Sequence, residues 1–254
     1  MRYSRNPKTG ILECYTDEGK YVGVMATMGD APEKQEAKDE FREEEHPRDE
    51  DGKFSSGGGG SNPVESMKSS GNFHTVDLDG INEDNAVKIN QTFDKLFSKF
   101  PMLKGKVGIN MKCEDPDAYA ECNYYGDGTI QLSAMDFSGT TLHDQYMKTV
   151  EEGTSPAGTD ERAIVAHEFG HIIDAYLTRK YLTSFSRTAA TTLRTKVLKE
   201  LGLDKSSIEK EVCSYASTSA REWFAECIAE AFTSDKPRRM ATECMRQVEL
   251  MMAR

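Results

Sequence analysis

Apolar positions are spread unevenly along the chain, and their spacing divides it into three stretches. Residues 1–30 hold one alternating piece, "KYVGVMAT" at 20–27, which reads as a strand, and nothing marks this stretch as a domain. From 31 to 70 large apolar residues almost vanish. "APEKQEAKDEFREEEHPRDEDGKFSSGGGGSNPVES" joins a charge-dense run to a Gly/Ser tract, so burial cannot recover its ordering entropy, and it reads as a disordered linker. Packing signals begin near 71. In "NEDNAVKINQTFDKLFSKF", Val87, Ile89, Phe93, Leu96 and Phe97 recur close to a helical period, with Pro101 as a stop. "KVGINMK" alternates Val107, Ile109 and Met111 as a half-buried strand does. "AYAECNYY" and "TIQLS" predict two more strands joined by the turn Gly126-Asp127-Gly128.

Helical spacing then dominates. After the loop "GTSPAGTD", Asp160 is placed to cap a helix over about 161–180. Further helices are predicted over about 186–201, closed by Gly202, over 220–233, opened by Ser219, and over 237–253. A few strands and several helices make an α+β domain over 71–254, with a small mixed sheet packed on the 161–180 helix and C-terminal helices behind it.

Composition narrows the function classes. A formal net charge of -11 disfavours nucleic acid or an anionic membrane as a partner, since both would repel the chain. The start, "MRYSRNPKTGILECY", lacks the apolar run of a signal peptide, and no window approaches a membrane span, so the expected location is the cytoplasm. The six cysteines have no CxxC spacing and read as reduced thiols.

Candidate chemistry concentrates in "AIVAHEFGHIIDAY" at 163–176. His167 and His171 are four apart and so lie one turn above each other on a helix face, where both imidazoles can meet one ion. Glu168, about 100 degrees round from His167, can reach a water on that ion without being a ligand. By residue frequency an HExxH string arises by chance in roughly one chain in a hundred of this length, so a third ligand is the test. "SYASTSAREWFAECIAEAF" offers Glu222, Glu226 and Glu230. Ser219-Ala220-Arg221-Glu222 is also a capping box, in which Glu222 would merely close a helix start, and spacing alone does not choose. His74 and His143 are the other third-ligand candidates, but neither stands in a second recognisable segment. Cys227, about 140 degrees round the helix from Glu222, should point away from the site, and Trp223 should anchor the core.

The two segments "HEFGHIIDAY" and "YASTSAREWFAECIAEAF" together resemble the signature of the anthrax lethal factor type of zinc metalloprotease, over about residues 164–233. The resemblance implies a zincin-like fold, a Zn2+ cofactor, and hydrolysis of peptide bonds in a protein or peptide substrate. It further implies His167, His171 and Glu222 as metal ligands, Glu168 as general base and Tyr215 as support for the oxyanion. Glu226 would orient a ligand histidine, and Asp174 falls where that family has an aspartate. By analogy, "TIQLS" is expected at the sheet edge lining the cleft, where an extended peptide can add as a strand. A second segment, "HPRDEDGKF" at 46–54, is similar to one that recurs in phage head and mobile-element proteins, which implies a phage or prophage source and a bacterial host cell or phage particle as location. That segment favours one alternative to an enzyme, a virion or scaffolding protein carrying a zincin module; a second alternative is a metal-stabilised domain that binds peptide without cutting it.

Overall fold

A computed structural model describes residues 62–182 and 188–253, together with three short strands near the start of the chain. The chain forms two units, Met1–Pro63 and Val64–Arg254. In the first, β1 (Arg2–Arg5), β2 (Leu12–Tyr15) and β3 (Tyr21–Met25) make an antiparallel meander in the order β1-β2-β3. The predicted strand in "KYVGVMAT" is β3, and it pairs with β2 in a sheet whose other two strands the apolar pattern does not announce. Most of the predicted linker, including "HPRDEDGKF", lies outside the described residues. Its predicted end at 70 is too late: Pro63–Ser69 is a helix, α1, whose Met67 is fully buried. Proline suits the first helical position because its missing N–H has no partner there anyway, and Val64 and Met67 then share a side.

The second unit is α+β. Its sheet has the order β4-β5-β7-β6, from β4 (Thr75–Asp77), β5 (Gly108–Asn110), β6 (Ala120–Cys122) and β7 (Thr129–Leu132). β4, β5 and β7 run parallel, while β6 returns antiparallel with Ala120 opposite Leu132 and Cys122 opposite Ile130. The predicted hairpin is thus β6-turn-β7, its reversal closed by Gly128 at φ +76. "TIQLS" is not the edge. β7 is flanked on both sides, so its backbone donors and acceptors are taken, and β6 borders the helix that carries the HExxH string. Sheet order depends on pairing between distant segments, which strand patterning does not encode.

Between β4 and β5 runs α2 (Glu83–Lys99), opened by the Asn82 side chain, which accepts from the Asp84 and Asn85 amides. α3 (Ala134–Phe137) and α4 (Leu142–Glu151) follow the sheet, where the apolar pattern announces no element. In α4 only Leu142 and Tyr146 are buried, a repeat too short to stand out. The central helix α5 (Arg162–Tyr181) comes next, and the Asp160 carboxylate accepts the Arg162 amide as expected of a cap. α5 is buried on nearly every side. Phe169 meets the rings of Phe93, Phe97 and Phe100 at 5.5–6.3 Å, fixing α5 on α2 by edge and tilted aromatic contacts.

α6 (Ala189–Leu201) starts three residues later than predicted, where Thr188 accepts the Thr191 amide, and ends at Gly202 in the left-handed region. The short α7 (Ile208–Glu211) and α8 (Ser214–Thr218) lead to α9 (Ala220–Thr233) and α10 (Arg239–Met252). Trp223 is fully buried, with its indole N–H toward the Met240 sulfur, a core anchor as its sequence context implies. No helix among the described residues is long and apolar enough to cross a membrane.

Candidate metal centre and its cleft

α5 and α9 cross where both carry small residues. A Cβ placed on Gly170 would stand 2.8 Å from the Ala225 Cα, so the glycine is required by the closeness of the second helix. This approach brings α9 carboxylates to α5 imidazoles. Glu222 Oε2 lies 3.1 Å from His167 Nε2 and 3.3 Å from His171 Nε2, and the two Nε2 atoms are 3.1 Å apart. Among the described residues this is the one cluster of three or more His, Cys, Asp or Glu side chains with metal-ligand spacing.

The local chemistry at the start of α9 settles what Glu222 does there. The Ser219 hydroxyl accepts the Arg221 and Glu222 amides, each at 3.1 Å, so the cap is made. The Glu222 side chain does not return to close a capping box but turns to the two imidazoles. Its buried Oε2 makes no hydrogen bond with either ring despite the short distances.

The donor set fits a zinc ion. Two imidazoles and a carboxylate, with a fourth position open, are the ligands of a catalytic rather than a structural zinc. Ligands about 2.0–2.1 Å from a tetrahedral ion stand roughly 3.3–3.4 Å from one another, close to the observed edges of 3.1–3.3 Å. Two Nε2 atoms 3.1 Å apart cannot both present bare lone pairs to each other, so either one ring carries its proton there or a metal stands between them. The surroundings favour positive charge: burial opposes a charge on His167, but the carboxylates of Glu226 and Glu222 outweigh it and raise the imidazole pKa well above its usual value. Desolvation works against the charge on Glu222, but the two imidazoles close to its carboxylate outweigh it and hold the group well below the usual carboxylate range.

Glu226 stands one turn past Glu222, and its Oε1 is 3.1 Å from His167 Nδ1, the far side of the ring from the cluster. A carboxylate there fixes which imidazole nitrogen faces a metal. Glu168 is 8 % exposed; burial, aided by the charges of Glu222 and Glu226 and opposed by His167, raises its carboxyl pKa to about 7. Tyr215, in the first turn of α8, is half-exposed with its ring 5.9 Å from that of His167. Desolvation, with the nearby carboxylates of Glu222 and Glu168, raises its phenol pKa to about 12.

A cleft of about 330 Å³ opens onto His167, Glu168 and Tyr215. It is also lined by Tyr119 and the adjoining Ala120 of β6, by Thr149 and Ser155, and by Ile164 of α5.

The remaining sequence candidates lie elsewhere. Asp174 is buried, but its carboxylate accepts the Ala190 amide at 2.7 Å and the Thr178 hydroxyl at 3.3 Å, and it faces Arg221 at 3.6 Å. It touches neither imidazole: on α5 its side chain is turned to the start of α6. His74 contacts Thr75 and the Asp127 carbonyl, and His143 contacts Glu161, so neither replaces Glu222. Cys227 is fully buried in the core. Two residues that the spacing does not single out, Tyr124 and Arg221, also reach the site. The Tyr124 ring stacks on His171, and the Arg221 guanidinium donates to the Tyr124 hydroxyl across 97 positions of sequence. No known protein family, curated protein or solved structure matches the chain.

Proposed function

We propose that the chain is a zinc-dependent endopeptidase with a zincin-like domain, in which His167, His171 and Glu222 hold the metal. The observation that carries this reading is the convergence of three ligand atoms within 3.1–3.3 Å beside a buried Glu168 that lines an open cleft. Zinc, when bound, supplies a Lewis acid that polarises a peptide carbonyl and acidifies a water.

The chain's own groups do the rest. A carboxyl with a pKa of about 7 is half-ionised near neutrality, so Glu168 takes a proton from the attacking water and returns it to the leaving amine. The Tyr215 phenol, held protonated by its surroundings, donates a hydrogen bond to the carbonyl oxygen as negative charge develops on it. Glu226 keeps the His167 ring turned so that Nε2 faces Glu222 and His171. The cleft admits an extended peptide beside β6, which among the described residues has no strand paired on its outer side.

The decisive experiment measures bound zinc by mass spectrometry and cleavage of a peptide library by the native protein and by Glu168→Gln. The expected result is one zinc per chain in both forms, with cleavage by the native protein alone. Zinc bound without cleavage by either form would assign the site to a binding or scaffolding module. Absence of zinc from both would refute the reading altogether.

A further inference from the structure

The two histidines of the cluster are held by different means. His167 has a carboxylate, Glu226, 3.1 Å from its Nδ1. His171 Nδ1 is buried and has no hydrogen-bond partner among the described residues. A metal-binding imidazole ordinarily donates its second N–H to a carboxylate, carbonyl or water, and that bond fixes the ring's rotation. For His171, Asp174 is the nearest candidate by sequence, but its oxygens are engaged by Ala190, Thr178 and Arg221.

A flat contact takes the place of that bond. The Tyr124 ring lies on the His171 ring with centroids 5.3 Å apart and planes 27° from parallel. The turn after β6 that carries Tyr124 is itself fastened from both helices. From α9, Arg221 donates to the Tyr124 hydroxyl at 2.8 Å and lies over the rings of Tyr124 and Tyr125 at 5.2 and 4.7 Å. From α5, Arg179 donates to the backbone carbonyls of Tyr124 and Tyr125, each at 3.3 Å. Asp174, 3.6 Å from Arg221, balances the guanidinium charge.

We propose that Tyr124 is the positioning residue for His171, and that Arg221, the immediate neighbour of Glu222, locks it in place. The inference rests on the zinc reading given above. Stacking restricts the imidazole's rotation about its side-chain bonds, and the Arg221–Tyr124 bond ties that restriction to the helix that delivers the carboxylate ligand. His171 and Glu222 are thereby set relative to one another by a single connected group. Neither Tyr124 nor Arg221 lines the cleft, so their effect is expected on metal affinity rather than on the chemical step.

The test is a zinc titration of the metal-free full chain against a chromophoric chelator, at a temperature where circular dichroism shows every form folded. Loss of the ordering contact in Tyr124→Leu should weaken zinc binding about 10- to 100-fold, the range seen when the partner of a ligand histidine is removed. Tyr124→Phe keeps the stack and the Arg221 ring contact but loses the hydroxyl bond, and should recover part of that loss. Arg221→Met removes the lock while sparing the stack and should fall between. A merely structural role predicts a different pattern: lower melting temperatures for the metal-free variants and unchanged zinc affinity, which would overturn the inference. If Tyr124→Leu does not fold, Arg221→Met carries the test, and native zinc affinity in it would overturn the proposal. Failure of the native chain to bind zinc would instead refute the reading on which the inference stands.

Discussion

The crossing of α5 and α9 offers the most direct probe of how the fold makes the site, through Gly170→Ala. On propensity alone this change should stabilise the chain, because alanine in a helix interior is about 1 kcal/mol better than glycine. Packing opposes it. The added methyl would sit 2.8 Å from the Ala225 Cα, 3.3 Å from the Ala225 Cβ and 3.4 Å from the Ile228 Cβ. Its nearest neighbour is backbone and cannot rotate aside, so the helices must separate by about 0.6 Å to restore even a close carbon–carbon contact of about 3.4 Å. Overpacking of this kind costs about 1–3 kcal/mol, leaving a net loss of roughly 0–2 kcal/mol after the propensity gain. The effect on the site is larger than the effect on the fold. His171 follows Gly170 on α5, Glu222 lies one turn before Ala225 on α9, and metal–ligand distances tolerate only about 0.2 Å. Gly170→Ala should therefore remain folded in a urea titration while its zinc affinity, measured by chelator competition, falls at least about tenfold. Native zinc affinity together with native or higher stability would show that the close crossing does not set the ligand geometry.

Other outcomes follow from the same structure. Tyr215→Phe should leave zinc binding within about twofold and lower kcat for peptide cleavage about 10²-fold or more, as loss of an oxyanion donor does; equal loss of zinc would make Tyr215 a structural residue instead. Excess zinc should stabilise the native chain by about 4 kcal/mol at a thousand times its Kd, and Glu222→Ala should abolish most of that gain in thermal melts without unfolding the metal-free chain. At Glu161, burial opposes the charge, but bonds from Lys88 and His143 outweigh it and hold the carboxyl below its usual pKa. A depressed pKa contributes stability above the unfolded value of about 4.3, and that contribution is lost as pH falls through the lower folded value. Glu161→Gln should thus cost about 1.5–3 kcal/mol in urea unfolding at pH 7, where both partners are half-exposed and the low end applies, and markedly less at pH 3. An equal cost at both pH values would exclude a charge-dependent role.

Local patterning determined much of this protein by itself. The helical period placed α2, α5, α9 and α10 to within a few residues, because which side chains share a helix face depends only on neighbours along the chain. The same period put His167 and His171 on one turn, and short-range cap chemistry marked Asp160, Ser219 and Gly202. Tertiary structure decided what distant segments do to each other. It made β6 rather than β7 the sheet edge, turned Glu222 from a capping role to the imidazoles, engaged Asp174 with α6, and brought Tyr124 onto His171. Each of these pairs residues too far apart in sequence for any local pattern to record, and each is fixed by close packing, as where Gly170 lets α9 approach α5.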